Sequence, residues 1–119
     1  MPSILKDKTY GFAIRIVKLH QFLQNERREF SLSKQILRSG TSIGALVAEA
    51  AYAQSKKDFV SKLSIAIKES HETEYWLNLL KDTKFIDENM FQSLIDDLVE
   101  ILKILTSSIK TAKASLAEK

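Results

Sequence analysis

The sequence predicts an all-α protein that folds as an antiparallel up-down-up-down four-helix bundle. Apolar residues recur at spacings of three and four along four segments, which is the periodicity of amphipathic helices. Residues that break helices are rare, with a single Pro at position 2 and three Gly in 119 residues. No segment alternates polar and apolar residues over a useful length, so no strand is predicted. The length suits one domain that spans residues 1–119.

The first helix is predicted to run from Ser3 to Asn25, and a charged turn follows at residues 25–29. Its core stripe repeats at spacings of four, three and four. The stripe consists of Phe12, Ile16, Leu19 and Leu23, and it is widened by Ala13, Val17 and His20.

The second helix is predicted to begin after an N-cap serine, either Ser31 or Ser33, and to end near residues 52–53. Three small residues spaced by four lie one above another on one of its faces. They are Gly40, Gly44 and Ala48. Because each Gly inside a helix costs about 1 kcal/mol relative to Ala, two of them call for a packing reason. We expect this ridge to form a close crossing with another helix.

The third helix is predicted from about Lys56 to Lys81, and it is preceded by a capping-box pattern in which Ser55 is followed by Asp58. Its seam keeps strict spacing of four and three, as in a coiled coil. The seam residues are Phe59, Leu63, Ala66, Ser70, Thr73, Leu77 and Leu80.

A turn is predicted at residues 82–85, after which Asp87 can cap the fourth helix. The seam of this helix consists of Leu94, Leu98, Ile101, Leu105, Ile109, Ala112 and Leu116. Acidic residues occupy its first half and lysines its second half, which is the order that the helix dipole favours.

Four charged residues stand out because they interrupt apolar or small-residue stretches. Arg38 and Glu49 belong to the second helix, and Glu69 and Glu72 lie in an apolar stripe of the third. A charge that is removed from water needs a partner, so we predict a polar cluster of these four within or between subunits. The alternative is that they are solvated charges on the rim of a helix.

The motifs of catalysis are absent from the sequence. There is no Cys, which excludes disulfides and thiol chemistry. The stretch from His71 to Tyr75 begins like a zinc-protease helix, but Tyr75 stands where the second His is needed. We therefore predict a protein that is not an enzyme, with no catalytic residues, no metal and no cofactor. Without a signal peptide or membrane span, a cytoplasmic location is expected.

Positive charge is concentrated in the first half of the chain. Residues 1–60 carry ten Lys or Arg against five Asp or Glu, whereas residues 61–119 carry eight against ten. This imbalance of +5 can attract nucleic acid, although a solvated surface that keeps the protein soluble is the alternative. The candidate nucleic-acid-binding residues are Lys6, Lys8, Arg15, Lys18, Arg27, Arg28, Lys56 and Lys57.

The stretch from Gln35 to Leu80 closely resembles the four-helix-bundle family of proteins encoded by 23S rRNA intervening sequences, and the resemblance covers most of the chain. The matching elements are Arg38–Ser39, Ser42–Ala45, Ala48–Ala50, Ser55 with Asp58–Phe59, Lys68–Glu69, Glu72–Thr73 and Tyr75–Leu77. One departure is Leu46, where the family usually has Asn.

The resemblance implies a bundle that associates into a ring, with a homopentamer as the favoured state. It also implies kinship with the accessory protein of diversity-generating retroelements, which has a similar fold and binds nucleic acid. Self-association agrees with apolar residues outside the inner seams, which would leave a monomer with a large exposed patch. They include Phe22, Ile65, Trp76, Leu79 and Leu102.

Two functions follow from these observations, and an enzyme without a recognisable motif is a third and less favoured class. The first is a non-catalytic oligomeric module that binds RNA or DNA, RNA related to rRNA among them, through its basic surface. The alternative is a ring-shaped scaffold that recruits another protein without binding nucleic acid.

Overall fold

The computed structural model describes residues 3–117, so the outermost residues of the predicted domain, 1–2 and 118–119, lie outside it. It contains four α-helices, α1 (Ser3–Asn25), α2 (Leu32–Ala50), α3 (Lys56–Asp82) and α4 (Glu88–Ala117). No strand occurs between residues 3 and 117. The all-α prediction is therefore confirmed. The end of α2 differs from the prediction, because residues 51–52 already form a turn.

Each helix packs against the next one in the chain, and α1 closes the bundle by contacting α4 through its thinnest interface. The inward-facing stripe of every helix supplies the core, in which Phe12, Ile43, Leu77 and Leu98 are among the side chains removed from solvent. The seven predicted seam positions of α3 are buried, apart from Phe59, which is partly exposed. The apolar spacing in the sequence thus correctly predicted the buried face of α3.

Capping by side chains fixes where α3 and α4 begin. The backbone N–H of Asp58 donates to Ser55 Oγ (3.1 Å), and the Asp58 carboxylate accepts from the N–H of Gln54 (3.2 Å). The backbone N–H of Met90 donates to Asp87 Oδ1 (2.8 Å), so Asp87 is the predicted cap of α4. Because these bonds satisfy N–H groups that a helix leaves free at its start, they define the two boundaries.

The crossing of α1 and α2 is close because glycines lie in it. A Cβ atom added at Gly40 would lie 2.8 Å from Cγ1 of the buried Ile16, and one added at Gly44 would lie 3.1 Å from the backbone oxygen of Thr9. The predicted close packing therefore applies to Gly40 and Gly44. Ala48 is exposed and borders the groove outside the crossing.

At one end of the bundle, α3 and α4 extend further than α1 and α2. Because α1 runs antiparallel to α4 and Lys8 pairs with Glu100, the start of α1 lies level with about residue 105. The pair Lys62–Glu49 similarly places the end of α2 level with about residue 61. Residues 56–60 of α3 therefore project beyond α2, and residues 106–117 of α4 project beyond α1. We call these two segments the two-helix extension. Lys56 Nζ donates to Ser115 Oγ and joins its two helical segments.

None of the helices within residues 3–117 combines the length and the hydropathy that crossing a membrane requires.

Alanine substitutions at the three glycines should have effects of different sign. Gly40→Ala should destabilise the protein by about 1–3 kcal/mol, because the new methyl group meets the buried Ile16. Gly44→Ala should be nearly neutral, because a gain in helix propensity of about 1 kcal/mol offsets the contact with Thr9. Gly11 has open space around its Cβ direction among the described residues, so Gly11→Ala should be stabilising by about 0.5–1 kcal/mol.

Urea unfolding followed by circular dichroism measures this order. Equal destabilisation by Gly40→Ala and Gly11→Ala would contradict a close crossing at Gly40.

Candidate nucleic-acid interface, polar cluster and apolar face

Two of the predicted nucleic-acid-binding residues hold α1 against α4 instead. Lys8 forms an ion pair with Glu100, which raises the pKa of the lysine. Arg15 donates from Nη1 to Asp97 Oδ2 (2.7 Å) and from Nη2 to Ser93 Oγ (2.8 Å). Because carboxylates neutralise both cations, neither presents a free positive charge to a phosphate group.

The other six candidates do not share one surface. Arg27 and Arg28 follow the end of α1, whereas Lys6, Lys56 and Lys57 lie at or near the opposite end of the bundle, and Lys18 is exposed along α1. The length of α1 separates these two ends by about 30 Å. Arg27 is also engaged, since its Nη1 donates to the carbonyl of Phe85 (3.2 Å) and its guanidinium lies 5.4 Å from the centroid of that ring.

The two-helix extension carries a more compact basic surface. Its lysines are Lys56, Lys57, Lys110 and Lys113, all of them exposed. Asp58 is the only acidic residue within residues 56–60 and 106–117 taken together. Lys110 and Lys113 are not among the predicted nucleic-acid-binding residues, because their position in the second half of α4 is already explained by the helix dipole. The antiparallel pairing of α3 with α4 could have identified them, since it brings the end of α4 to the start of α3.

The predicted polar cluster forms across the interface of α2 and α3. Arg38 donates from Nη1 to Glu69 Oε1 (3.1 Å) and from Nη2 to Glu72 Oε2. Ser42 Oγ donates to Glu69 Oε1 (2.8 Å), and Trp76 Nε1 donates to Glu72 Oε2 (3.1 Å). The two carboxylates thus accept four hydrogen bonds within a single subunit, two of them from Arg38.

The fourth predicted member of the cluster lies elsewhere. Glu49 is three helical turns from Arg38, about 16 Å along α2, and its carboxylate is 3.5 Å from Lys62 Nζ. Leu46, at the position where the resemblance expects Asn, packs partly buried against the hydrophobic core.

The cluster is half open to solvent, which limits its contribution to stability. The side chain of Arg38 is 55% exposed and that of Glu69 is 13% exposed. The hydrogen bond from the Trp76 indole, followed by that from Arg38, holds the pKa of Glu72 below its usual value near 4.5. Solvent screening reduces the expected cost of removing Arg38 to about 1 kcal/mol, compared with about 3–5 kcal/mol for a fully buried pair.

An apolar stripe on the outer face of α1 remains uncovered. Tyr10, Ile14 and Val17 are exposed at spacings of four and three, although Val17 was wrongly predicted to belong to the core stripe. Beside them, α1 and α2 form a groove of about 530 Å³. Its lining residues are Lys6, Asp7, Tyr10, Ala13, Thr41, Gly44, Ala45 and Ala48. We call the stripe and this groove the α1 face.

Most of the apolar residues that the sequence placed outside the inner seams are partly buried. Phe22, Trp76 and Leu102 pack against the core, Leu79 is partly buried, and Ile65 is the exposed member of that set. The α1 face was missed because its spacing of four and three overlaps the stripe that was assigned to the core.

The described part of the chain offers no cluster of three His, Asp or Glu side chains that could hold a metal ion.

The same arrangement of helices is found in a crystal structure of a protein of unknown function from the S23 ribosomal protein family of Bacteroides thetaiotaomicron VPI-5482. This chain is 56% identical to that protein, and the match covers 91% of this chain and 96% of the other, with a TM-score of 0.90. No curated protein shows significant similarity to the chain.

The family model of the 23S rRNA-intervening sequence protein matches residues 3–107. The chain therefore belongs to the 23S rRNA-intervening sequence protein family, as its resemblance to that family implied. The end of α4, with Lys110 and Lys113, lies beyond the matched residues.

The contribution of Glu72 to stability should depend on pH. Because folding lowers the pKa of Glu72, its ionised form stabilises the fold at neutral pH, and this stabilisation is lost as the pH falls below about 4.5 through the lower pKa of the folded state. Glu72→Gln should therefore be less stable than the wild type at pH 7, and the difference should shrink on acidification. Chemical unfolding at pH 7, 5 and 3.5, monitored by Trp76 fluorescence, measures it. A difference independent of pH would show that the charge of Glu72 is merely solvated.

Proposed function

We propose that this protein is a non-catalytic, self-associating helical bundle that binds nucleic acid through the lysines of its two-helix extension. The observation that carries the proposal is that the antiparallel fold brings four exposed lysines together on the two-helix extension, whose residues 56–60 and 106–117 include a single acidic residue, Asp58. Lysine side chains that neutralise phosphates release counterions, which drives binding without reading sequence. RNA, including RNA related to rRNA, is the ligand that membership of this family favours.

The start of α3 adds to this surface. Lys56 and Lys57 occupy the first turn of a helix of 27 residues, where the helix dipole also favours anions. Four point charges on flexible stems suit contact with a phosphate backbone more than recognition of base edges. We therefore infer binding that depends on salt and only weakly on sequence, by a cytoplasmic protein without a cofactor.

Self-association through the α1 face completes the proposal. Tyr10, Ile14 and Val17 expose apolar surface to water, and a second copy would cover it with a gain in hydrophobic free energy. In a ring, for which the family resemblance favours five subunits, each copy would contribute one extension. Weak contacts of several extensions with one polynucleotide would then add through multivalency.

An alternative function rests on the same face. If the partner that covers the α1 face is another protein, the molecule is an interaction scaffold and needs no nucleic acid. The two candidates differ in salt dependence, since burial of apolar surface is not weakened by moderate salt in the way that phosphate contact is.

Removing the charges of the extension should weaken RNA binding. The combined substitutions Lys56→Gln, Lys57→Gln, Lys110→Gln and Lys113→Gln should lower affinity for all sequences alike. They should also reduce the slope of log K against log salt by about 0.7 for each phosphate of a single strand that the variant no longer neutralises. Fluorescence anisotropy with a labelled RNA at two salt concentrations measures both effects.

The matched control removes four exposed lysines from the body of the bundle, by Lys18→Gln, Lys34→Gln, Lys68→Gln and Lys103→Gln. We expect this variant to retain most of the affinity. Equal decreases in affinity for the two variants would argue against a localised site, and wild-type protein without salt-sensitive binding would favour the scaffold.

A charge on the α1 face should prevent self-association. The wild type should sediment above the 13.5 kDa of one chain at tens of micromolar, and Ile14→Glu should shift it towards the monomer, because burying an unpaired carboxylate is costly. Ile65→Glu is the control, since Ile14 and Ile65 are both 43% exposed but lie on different helices. A monomeric wild type, or dissociation by Ile65→Glu alone, would contradict assembly through this face.

A further inference from the structure

Tyr52 is the most exposed of the large apolar side chains in the described part of the chain, with 87% of its surface open to solvent. It lies in the turn between α2 and α3, where its backbone N–H donates to the carbonyl of Glu49 (3.0 Å). The backbone is thus held, while the ring contacts no other aromatic or cationic group among residues 3–117. Both faces of the ring are accessible to a ligand.

The ring stands next to the basic extension. Lys56 is four positions after Tyr52, so the Cα atoms of the two residues cannot be more than about 14 Å apart even in a fully extended chain. The contact of Lys56 with Ser115 in turn holds the end of α4, with Lys110 and Lys113, beside the same turn. A ligand that contacts these lysines with its phosphates would therefore pass within reach of the tyrosine.

Proteins that bind single-stranded nucleic acid combine basic grooves with aromatic rings on which bases stack. Stacking requires a base whose face is free, and the neighbouring pairs of a duplex cover that face. A lysine surface alone does not distinguish unpaired from paired strands in this way. An exposed aromatic ring beside the lysines does.

We propose that Tyr52 stacks on an unpaired base of a single-stranded nucleic acid whose phosphates contact the lysines of the extension. This inference rests on the nucleic-acid binding proposed above, and it adds the class of ligand and the residue that selects it. The two-helix extension supplies affinity that depends on salt, and Tyr52 supplies the preference for unpaired strands.

Anisotropy titrations with a labelled 12-nucleotide RNA, free or annealed to its complement, test the inference. The wild type should bind the single strand more tightly than the duplex. Tyr52→Ala should lower the affinity for the single strand about tenfold, with an unchanged salt slope and unchanged duplex binding. Tyr52→Phe keeps the ring and should bind as the wild type does.

Tyr75→Ala is the matched control, because Tyr75 is also exposed (60%) but lies on α3 some five helical turns from Lys57. It should leave both affinities unchanged. Thermal unfolding and sedimentation of each variant confirm that the fold and the assembly are intact.

Two results would overturn the inference while leaving the proposed function standing. The first is salt-sensitive binding that Tyr52→Ala does not weaken, and the second is an equal decrease in affinity for Tyr75→Ala. Failure of the wild type to bind either RNA would overturn the proposed function, and the role of Tyr52 with it.

Discussion

The close approach of α1 to α2 at Gly40 and Gly44 sets the arrangement of the bundle. At Gly44 the backbone of α2 reaches the backbone oxygen of Thr9 so nearly that a methyl group would touch it. Helices this close leave no room for a larger side chain at Gly44, whereas at Gly40 the absence of a side chain makes room for the buried Ile16. This geometry opens the groove next to Ala13 and Ala45 and leaves Tyr10 on the surface.

Helix α2 uses a second set of small residues on the side that faces α3. There the hydroxyls of the buried Ser39 and Thr73 form a hydrogen bond of 3.0 Å, and the cluster around Arg38 closes the interface towards solvent. Glycines on one side and serines on the other allow α2 to approach both neighbours closely. Because each side of the helix is already matched to a neighbour, α2 contributes little to the exposed apolar surface, which comes mainly from α1.

Most of the fold can be predicted from the sequence, because the helices have regular apolar spacing and capping residues mark where they begin. Ser55 and Asp87 identified the starts of α3 and α4, and the apolar spacing identified the buried positions. The partners of Arg38 on α3 were also predictable, since Glu69 and Glu72 are the carboxylates of an otherwise apolar stripe. Glu49 was misplaced because residues on one side of a helix can still differ by three turns in height.

The basic surface was harder to predict, because counting charges along the chain does not reveal how the helices align. Only the register of α1 against α4 shows that Lys8 and Arg15 meet Glu100 and Asp97. Likewise, the tertiary pairing of α3 with α4 unites lysines that lie more than fifty residues apart. The exposure of Tyr52 was not predictable either. The sequence pattern of α2 continues to this residue, whereas in the structure the helix ends at Ala50 and Tyr52 lies in the turn.

The thin interface between α1 and α4 bears on how the chain folds. Among residues 3–117, every other pair of helices in contact is consecutive in sequence, so these pairs can form as local hairpins with a small cost in loop entropy. The α1–α4 interface joins residues about ninety positions apart, and it relies on two ion pairs at the surface together with a narrow apolar seam. We therefore expect the three consecutive hairpins to assemble first, with docking of the first helix on the last as the step that completes the native state.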